Sequence, residues 1–187
     1  AYVCGLGEIG LGGFVLTPEF GPLARFAFIL TDAPIEADPF PLKSALCDSC
    51  GKCVSACPGA AIEAGKRTGQ KLGAETVSHA ALDEWQCAAH YRGVNPDINP
   101  FMPDGMAKQM PAPGTRLDEE LSRKFGDMAN AFYWPMRFGY QNAICGKACW
   151  RACLAHLEQR GALGHKFNLP FRSSPEWRVA RQAKAEG

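Results

Sequence analysis

This sequence of 187 residues has no excess of either charge and no long apolar run, and both absences exclude classes of partner. Its 20 Lys and Arg balance 19 Asp and Glu, so the composition indicates neither nucleic acid nor a membrane surface as a partner. No apolar stretch approaches the ~20 residues that a membrane helix needs, and the N-terminus lacks a basic region followed by an apolar one. Because nothing in the sequence directs export, we expect a cytoplasmic protein.

Cysteine, by contrast, is abundant. The odd count of nine and the clustering of these residues argue against the disulfides of a secreted protein and favour metal ligation in a reducing compartment. Cys47, Cys50, Cys53 and Cys57, followed by Pro58, have the C-x2-C-x2-C-x3-C-P spacing with which bacterial ferredoxins hold cubane iron–sulfur clusters. The spacing therefore predicts iron–sulfur ligation, with zinc as the main alternative.

The spacing of this motif has a mechanical reason. Three cysteines separated by two residues wrap a tight loop around one cluster, and Gly51 suits that loop because it can adopt a positive φ. Cys57 is displaced from the first three, and in two-cluster proteins this fourth cysteine ligates the other cluster. The motif therefore predicts a second set of ligands.

A second group of cysteines lies near the end of the chain. Cys145, Cys149 and Cys153 follow one another at intervals of four residues, which predicts one helical face with the thiols about 6 Å apart along the axis. One rigid helix cannot present all three thiols to a single cube, so at least one of them serves the neighbouring cluster. The ferredoxin exchange rule assigns Cys153 to the cluster of Cys47, Cys50 and Cys53.

The N-terminal region is rich in glycine. Gly5, Gly7 and Gly10 formally satisfy the dinucleotide fingerprint G-x-G-x-x-G, but the pair at residues 12–13 would weaken the helix that this fingerprint must open. We therefore interpret the segment as a turn at which the backbone closely approaches a ligand or another strand. Further along, residues 25–31 predict a buried strand and residues 65–73 a basic surface loop.

The order of these segments resembles the C-terminal half of reductive dehalogenases, and the cobalamin-dependent epoxyqueuosine reductases share the same layout. The resemblance rests on Gly-Leu-Gly-Glu-Ile-Gly at residues 5–10, Leu-Thr-Pro-Glu-Phe-Gly-Pro at 16–22, Leu-Thr-Asp-Ala-Pro at 30–34 and the ferredoxin motif at 47–58. It covers residues 3–63 well and extends more loosely to Cys153. In these enzymes a nitroreductase-like α/β corrinoid domain precedes a domain with two 4Fe–4S clusters.

The resemblance implies an α+β fold in which a ferredoxin-like two-cluster domain follows part of a nitroreductase-like α/β corrinoid-binding domain. Residues 1–40 would be the C-terminal part of the corrinoid domain, and residues 41–187 the cluster domain with a long insertion at 88–144. The family has a long segment before the glycine-rich turn, so the chain is expected to be either a fragment or a short subunit completed by a partner. The implied cofactor-binding residues on the corrinoid side are Gly5, Gly7, Glu8, Gly10, Thr17 and Glu19.

The resemblance also completes the ligand sets, because the family has a solitary cysteine in an aromatic setting where Cys87 stands here. Cys4 is left over, and we expect it to be a small buried hydrophobe. The chain departs from the family in having three residues between Cys145 and Cys149 and Leu154 in place of a proline. The predicted ligands are Cys47, Cys50, Cys53 and Cys153 for cluster one, and Cys57, Cys87, Cys145 and Cys149 for cluster two.

Two functions follow from these observations. In the first, the chain is the electron-delivery part of a corrinoid-dependent oxidoreductase in which two clusters pass single electrons to cobalamin for the reduction of an organic substrate. In the second, it is a dicluster ferredoxin-like subunit of a larger complex and binds no corrinoid. The expected partners are an electron donor of ferredoxin or flavodoxin type and a segment or subunit that completes the corrinoid site. No catalytic acid is assigned.

Overall fold

A computed structural model describes residues 1–36, 46–72, 75–131, 143–164 and 166. In these residues the chain forms two antiparallel two-stranded sheets and five helices. The strands are β1 (Glu8–Ile9), β2 (Val15–Leu16), β3 (Ile62–Leu72) and β4 (Glu75–Leu82). The helices are α1 (Lys52–Ser55), α2 (Glu84–Tyr91), α3 (Asp104–Ala107), α4 (Glu119–Ala131) and α5 (Ala148–Gln159).

The glycine-rich segment folds as the small hairpin β1–β2, in which Glu8 pairs with Leu16. A Cβ added to Gly7 would lie 2.3 Å from the Leu16 carbonyl oxygen, and one added to Gly10 would lie 3.4 Å from Cys47 Sγ. Only a glycine fits at position 7, where backbone approaches backbone, and Gly10 brings the turn next to the Cys47 side chain. The predicted close approach is therefore confirmed, and the backbone here contacts both a second strand and a cysteine of the ferredoxin motif.

The hairpin shares an apolar core with the ferredoxin motif and with α5. Phe14 and Cys47 pack into both halves of this core, and α1 lies against α5. The core brings segments from the two ends of the chain around the ferredoxin motif, because burial of their apolar side chains is the main stabilising term available to them. The buried residues of its two halves are Leu11, Cys53, Ile62 and Ala80, and Leu16, Leu46 and Leu157.

The hairpin β3–β4 replaces the basic surface loop predicted at residues 65–73, of which 65–72 are described. Ile62 pairs with Leu82 and Leu72 with Glu75, with a register shift between Glu63 and Arg67. The prediction of a loop is wrong because the polar and glycine-rich composition of β3 hides its pairing with the following strand. At its base, the Ala80 amide donates a hydrogen bond of 2.9 Å to the Leu11 carbonyl, which attaches this hairpin to β1–β2.

The described part of the 88–144 insertion forms a second apolar core with α2. Val94, Met106 and Leu117 are buried in it, so the methionines fill a core. Gln86, only 2% exposed, accepts a hydrogen bond of 3.0 Å from the Leu117 amide and donates one of 3.3 Å to the Thr115 carbonyl. This buried amide ties the insertion to α2 and satisfies two backbone groups that would otherwise be unpaired.

Two further expectations have different outcomes. The buried strand predicted at residues 25–31 is wrong, since the segment has no strand and Phe28, Ile29 and Leu30 are 86%, 87% and 99% exposed. The apolar composition that suggested burial finds no packing partner among the described residues. The predicted domain boundary between residues 40 and 41 lies outside the described residues, and the division into domains stays a prediction.

Candidate metal centre

The ferredoxin motif forms a tight loop that leads into α1. Gly51 is the N-cap of α1 with φ of 73°, as predicted, and Ser49 has φ of 59°. These left-handed residues reverse the backbone sharply between neighbouring cysteines, and a glycine is the residue that does so without strain. As a result Cys53 is buried at 6% exposure while Cys50 faces solvent.

A pocket lies inside this loop. Four cysteines line it, and one of them, Cys153, comes from α5 some hundred residues after the motif. The rest of the wall is largely apolar, whereas Cys50 itself is exposed to solvent. The lining cysteines are Cys47, Cys50, Cys53 and Cys153, and the other lining residues include Gly10, Leu11, Phe14, Leu16, Leu46, His156 and Leu157.

The electrostatics of this cavity follow from burial and from the proximity of the thiols. Burial, with additional contributions from the charges of Cys53, Cys47 and Cys50, raises the pKa of Cys153 to about 12. Burial and the charges of Cys47 and Cys50 also raise the pKa of Cys53. Four thiolates this close together require a cationic centre between them.

Four of the five other cysteines form a second group. Burial, followed by the charge of Cys57, raises the pKa of both Cys87 and Cys149 to about 11, and Cys145 contributes to both shifts. Cys87 lies on α2, Cys149 on α5, and Cys57 just after α1. The structure thus brings Cys57, Cys87, Cys145 and Cys149 together from four separate segments.

Cys145 does not lie on the helix that carries Cys149 and Cys153. α5 begins at Ala148, and Cys145 occupies a turn before it in which Gly146 and Lys147 have φ of 60° and 47°. The prediction of a single helical face for all three cysteines is therefore wrong. The left-handed pair turns Cys145 away from the helix axis, so it can approach Cys149 and Cys87 from another direction.

Backbone amides point at one sulfur atom in each group. The Leu11 amide donates a hydrogen bond of 3.2 Å to Cys47 Sγ, and the Ala61 amide donates one of 3.4 Å to Cys57 Sγ. Such donors stabilise the thiolate form and the added negative charge of a reduced cluster. The glycine-rich turn therefore contributes an N–H···S contact to the first cysteine group.

Asp48, between two cysteines of the motif, joins the loop to α5. His156 Nε2 lies 2.8 Å and Arg160 Nη1 3.2 Å from its Oδ2 atom, while the Arg160 Nη1 atom also donates to the Leu46 carbonyl at 2.9 Å. The hydrogen bond from His156 is the main cause that lowers the pKa of Asp48 to about 2. We call this arrangement the Asp48 bridge. The sequence carried one signal for it, since His156 and Arg160 are four residues apart on the helix of Cys153.

The spacing of the thiols distinguishes a cluster from a single ion. With Zn–S bonds of about 2.3 Å, tetrahedral zinc holds its sulfur ligands roughly 4 Å apart. Among the described residues, which include all nine cysteines, the one group of three candidate ligand atoms within 4.8 Å is Asp48, Cys50 and His156. Within the described residues no three thiols of either cysteine group lie that close together, and this wider spacing favours a cluster over a single zinc ion.

The predicted corrinoid-side residues lie together in the N-terminal unit beside the first cavity. The Glu8 carboxylate accepts a hydrogen bond from the Cys47 amide, and Thr17 Oγ1 accepts one of 3.1 Å from the Phe20 amide. Glu19 is exposed, and Gly5 has φ of 69° in the turn before β1. Glu8 and Thr17 therefore organise the loops of this unit, while a corrinoid contact by Gly5, Gly7, Glu8, Gly10, Thr17 or Glu19 stays a prediction.

Cys4 is exposed, so its predicted burial is wrong. It lies in the turn that the Gly5 amide closes onto the Tyr2 carbonyl.

Comparison with known proteins agrees with this geometry. Residues 43–63 match the family described as 4Fe-4S binding domain. The match and the pocket lined by four cysteines together identify the chain as an iron–sulfur protein. They agree with the 4Fe–4S ligation and the electron-transfer role that the cysteine spacing predicts.

Similarity to individual proteins extends beyond the motif. The chain is 32% identical over 113 residues to the tetrachloroethene reductive dehalogenase of Sulfurospirillum multivorans, covering 54% of this chain and 22% of that protein. It is 42% identical over 65 residues to a tetrachloroethene reductive dehalogenase of Desulfitobacterium hafniense, covering 33% and 12%. It is 32% identical over 109 residues to the epoxyqueuosine reductase of Gloeobacter violaceus, covering 58% and 28%. The resemblance stated from the sequence is confirmed over these segments.

The chain spans less than a third of the length of these curated relatives. No solved structure matches it. Of the helices in the described ranges, none has the length and apolar character needed to cross a membrane.

Proposed function

We propose that this chain passes single electrons through two 4Fe–4S clusters. The observation that carries the proposal is that eight of its nine thiols lie in two groups of neighbouring cysteines, one of which lines a single pocket. Cluster one is held by Cys47, Cys50, Cys53 and Cys153, and cluster two by Cys57, Cys87, Cys145 and Cys149.

The two clusters are neighbours along the same pair of helices. α1 lies against α5, and each helix, with the residues at its end, supplies one cysteine to each centre. On α5 the cysteines that serve different clusters, Cys149 and Cys153, are separated by one helical turn, or about 6 Å along the axis. This arrangement suits electron transfer because each cluster is a one-electron carrier and the protein only has to position the two.

We further propose that the electrons are destined for a corrinoid that reduces an organic substrate. Support comes from the similarity to reductases and from the position of residues 5–22, which resemble the corrinoid side of that family and pack against the cavity of cluster one. A bound corrinoid would supply cobalt chemistry, and the chain's own part is to present the glycine-rich turn and the Glu8 and Thr17 loops to it.

A second candidate is a carrier that delivers electrons to a separate catalytic protein. The observation in its favour is that all eight predicted ligands belong to this chain and lie in two groups without help from another segment. Electron transfer through the clusters then requires no corrinoid.

Iron and acid-labile sulfide analysis of the anaerobically purified protein tests the two-cluster proposal. We expect about eight irons and eight sulfides per chain. Four or fewer irons per chain would contradict it.

Extraction of the complete purified protein separates the two destinations. Corrinoid absorption bands in the extract are expected for the reductase. A colourless extract from protein that still contains about eight irons would eliminate the corrinoid and leave the carrier.

A further inference from the structure

Cys50 differs from the other predicted cluster ligands in its exposure to solvent. The other seven are buried or half-buried, and Cys4, which is also exposed, is not a predicted ligand. Cys50 lies between two left-handed residues, Ser49 and Gly51, in the loop before α1. The iron that it would hold is therefore the corner of cluster one nearest to solvent, and access of this kind is what ligand exchange at a metal requires.

Two side chains with other ligand chemistry lie beside Cys50. A carboxylate oxygen of Asp48, the His156 imidazole nitrogen and Cys50 Sγ all lie within 4.8 Å of one another. Asp48 and His156 also line the pocket in which the four thiols of cluster one meet. Carboxylate and imidazole are both iron ligands in proteins. The Cys50 corner is therefore surrounded by more ligand groups than the one thiol it uses.

The carboxylate is the better placed of the two groups to bind a metal. His156 Nε2 lies 2.8 Å from Asp48 Oδ2, so this nitrogen is already engaged in a hydrogen bond with the carboxylate. Asp48 Oδ1, in contrast, accepts a hydrogen bond of 3.2 Å from the Cys50 amide. Each oxygen of an ionised carboxylate has two lone-pair sites, so Oδ1 keeps acceptor capacity for a metal ion.

Asp48 is held in this position by contacts that do not involve the Cys50 thiol. Cys50 contributes only its backbone N–H, which any residue at this position except proline would supply. On the other side, Arg160 Nη1 lies 3.2 Å from Asp48 Oδ2 and donates to the Leu46 carbonyl at 2.9 Å. Carboxylates that bind metals are commonly held by such hydrogen bonds. The carboxylate should therefore keep its place when the side chain of residue 50 is shortened.

The buried thiol of the same loop has different surroundings. Cys53 is 6% exposed and packs in an apolar group with Leu11, Ile62 and Ala80. Apart from Asp48 and His156, the side chains that line the pocket carry neither carboxylate nor imidazole. Cys53 therefore has no oxygen or nitrogen ligand in its apolar group, and it provides a matched comparison for Cys50.

We propose that Asp48 is a reserve ligand of cluster one, whose carboxylate binds the iron at the Cys50 corner when the thiolate does not. The inference rests on the proposed two-cluster function. One Fe–S bond to a thiolate is replaced by one Fe–O bond to a carboxylate, and the released thiolate takes a proton from water. No iron changes its oxidation state. Cluster one thereby stays complete at the corner that faces solvent.

Iron and sulfide analysis with Mössbauer spectroscopy tests the proposal on the full chain, purified anaerobically without added thiols that could themselves bind the iron. Cys50→Ala removes the thiol and leaves the backbone amide that holds Asp48. The double variant Cys50→Ala with Asp48→Asn removes both ligands, and Asp48→Asn alone leaves the thiol. The matched control is Cys53→Ala.

We expect Cys50→Ala to retain about eight irons per chain, with about one of them showing the Mössbauer parameters of an oxygen-ligated site. The double variant should lose iron from cluster one, and its oxidised form should give the electron paramagnetic resonance signal of a 3Fe–4S cluster or no cluster-one signal. Asp48→Asn alone should retain about eight irons, whereas Cys53→Ala should lose iron from cluster one. Cluster two, with unchanged ligands, reports in each variant that the chain is folded.

Loss of iron from Cys50→Ala, whether of a single iron or of a whole cluster, would overturn the proposal. So would a complete cluster one in the double variant, because a solvent molecule or His156 would then suffice as the ligand. Loss of cluster one from Asp48→Asn alone would also overturn it, since Asp48 would then act only through its contacts with α5. About four or fewer irons in the unmodified chain would instead contradict the proposed two-cluster function, and the reserve ligand with it.

Discussion

Individual backbone conformations determine where the thiols point. Gly51 caps α1 and Lys147 caps α5, and both residues are left-handed, with φ of 73° and 47°. These two cysteine-bearing helices therefore each start after a sharp reversal of the chain. The reversal is what allows Cys50 and Cys145, which precede the helices, to approach the same centres as cysteines inside them. The spacing between cysteines is informative because these turns determine the direction in which each thiol points.

We predict that Cys153, about a hundred residues after the motif, is the fourth ligand of cluster one. The variant Cys153→Ser tests this assignment. We expect the variant to lose the cluster-one signal and to retain about four irons per chain, since the ligands of cluster two are untouched. Iron analysis and electron paramagnetic resonance of the reduced protein measure both effects. The matched control is Cys4→Ser, an exposed cysteine for which about eight irons should remain. Equal iron loss in the two variants would contradict the assignment.

The raised pKa values of the thiols predict that cluster assembly depends on pH. Burial raises the pKa of Cys153 to about 12 and those of Cys87 and Cys149 to about 11, so in the cluster-free chain these groups bind protons at neutral pH. Assembly must release these protons, and raising the pH therefore favours it.

We expect the rate of anaerobic reconstitution with limiting iron and sulfide to increase from pH 7 to pH 9 and the reaction to release protons into a weakly buffered solution. Absorbance at the cluster bands and a pH indicator follow the two quantities. An assembly rate independent of pH would show that the thiols are already ionised.

At the scale of elements, the Asp48 bridge ties the cluster loop to α5. Arg160 contacts both the Asp48 carboxylate and the Leu46 carbonyl, on the helix face one to two turns beyond Cys153. The bridge therefore sets the distance between the loop that carries three predicted ligands and the helix that carries the fourth. Its side chains are partly exposed, so its effect on stability is expected to be modest.

Arg160→Gln is predicted to loosen this connection. We expect an iron chelator to remove cluster one about fivefold faster, because one ion pair and one hydrogen bond between the loop and α5 are lost. Cluster two should be lost at an unchanged rate, because none of its predicted ligands contacts the bridge. The control is Arg123→Gln, which removes the exposed ion pair with Glu119 on α4. Chelation rates that match the control would rule out a role for the bridge.

The hairpin β1–β2 depends on the absence of a side chain at Gly7. A Cβ there would lie 2.3 Å from the Leu16 carbonyl oxygen, so Gly7→Ala must separate the two strands. We expect a loss of about 1–3 kcal/mol in stability, seen as a lower melting temperature of the cluster-loaded protein. Gly105→Ala, where an added Cβ meets nothing within 4 Å in helix α3, is the control and should be neutral or slightly stabilising. A melting temperature unchanged by Gly7→Ala would disprove the close approach.

At the scale of the whole molecule, α1 with the turn after it and α5 lie against each other, and both regions carry predicted ligands of both clusters. The 88–144 insertion packs its own core against α2, which carries Cys87. The insertion therefore packs beside the cysteines predicted for the second centre, whereas the N-terminal hairpin packs beside those predicted for the first. The two ends of the proposed electron path thus have different protein surroundings.

This proximity predicts magnetic interaction between the clusters. With ligands separated by about 6 Å on α5, two reduced clusters should give a broadened, spin-coupled resonance spectrum that differs from the half-reduced one. A redox titration followed by electron paramagnetic resonance measures it. Cys153→Ser, with one cluster, provides the uncoupled reference. Two independent, unbroadened signals in the fully reduced protein would place the clusters much further apart than proposed.

Local patterns were predictable from the sequence, and contacts between distant segments were less so. The motif at residues 47–58 and the left-handed Gly51 follow from spacing and from the freedom of glycine, which are properties of a few neighbouring residues. The basic segment at 65–72 could not be assigned to a strand because its own residues carry little strand preference and its partner, β4, provides the pairing. Residues 25–31 show the opposite error, because their apolar sequence predicts a buried strand. An apolar segment is buried only where another part of the structure packs against it.

The amino-acid sequence by itself determined that the protein is an iron–sulfur protein, because the covalent spacing of Cys47, Cys50, Cys53 and Cys57 limits how their thiols can be presented. Only the tertiary structure decided how Cys153 and Cys145 approach the centres, where Asp48 is held and which hairpin face stands beside Cys47. These features depend on long-range packing of α5, α1 and β3–β4. No spacing of neighbouring residues encodes such packing, since it is the burial of apolar side chains from distant segments that brings them together.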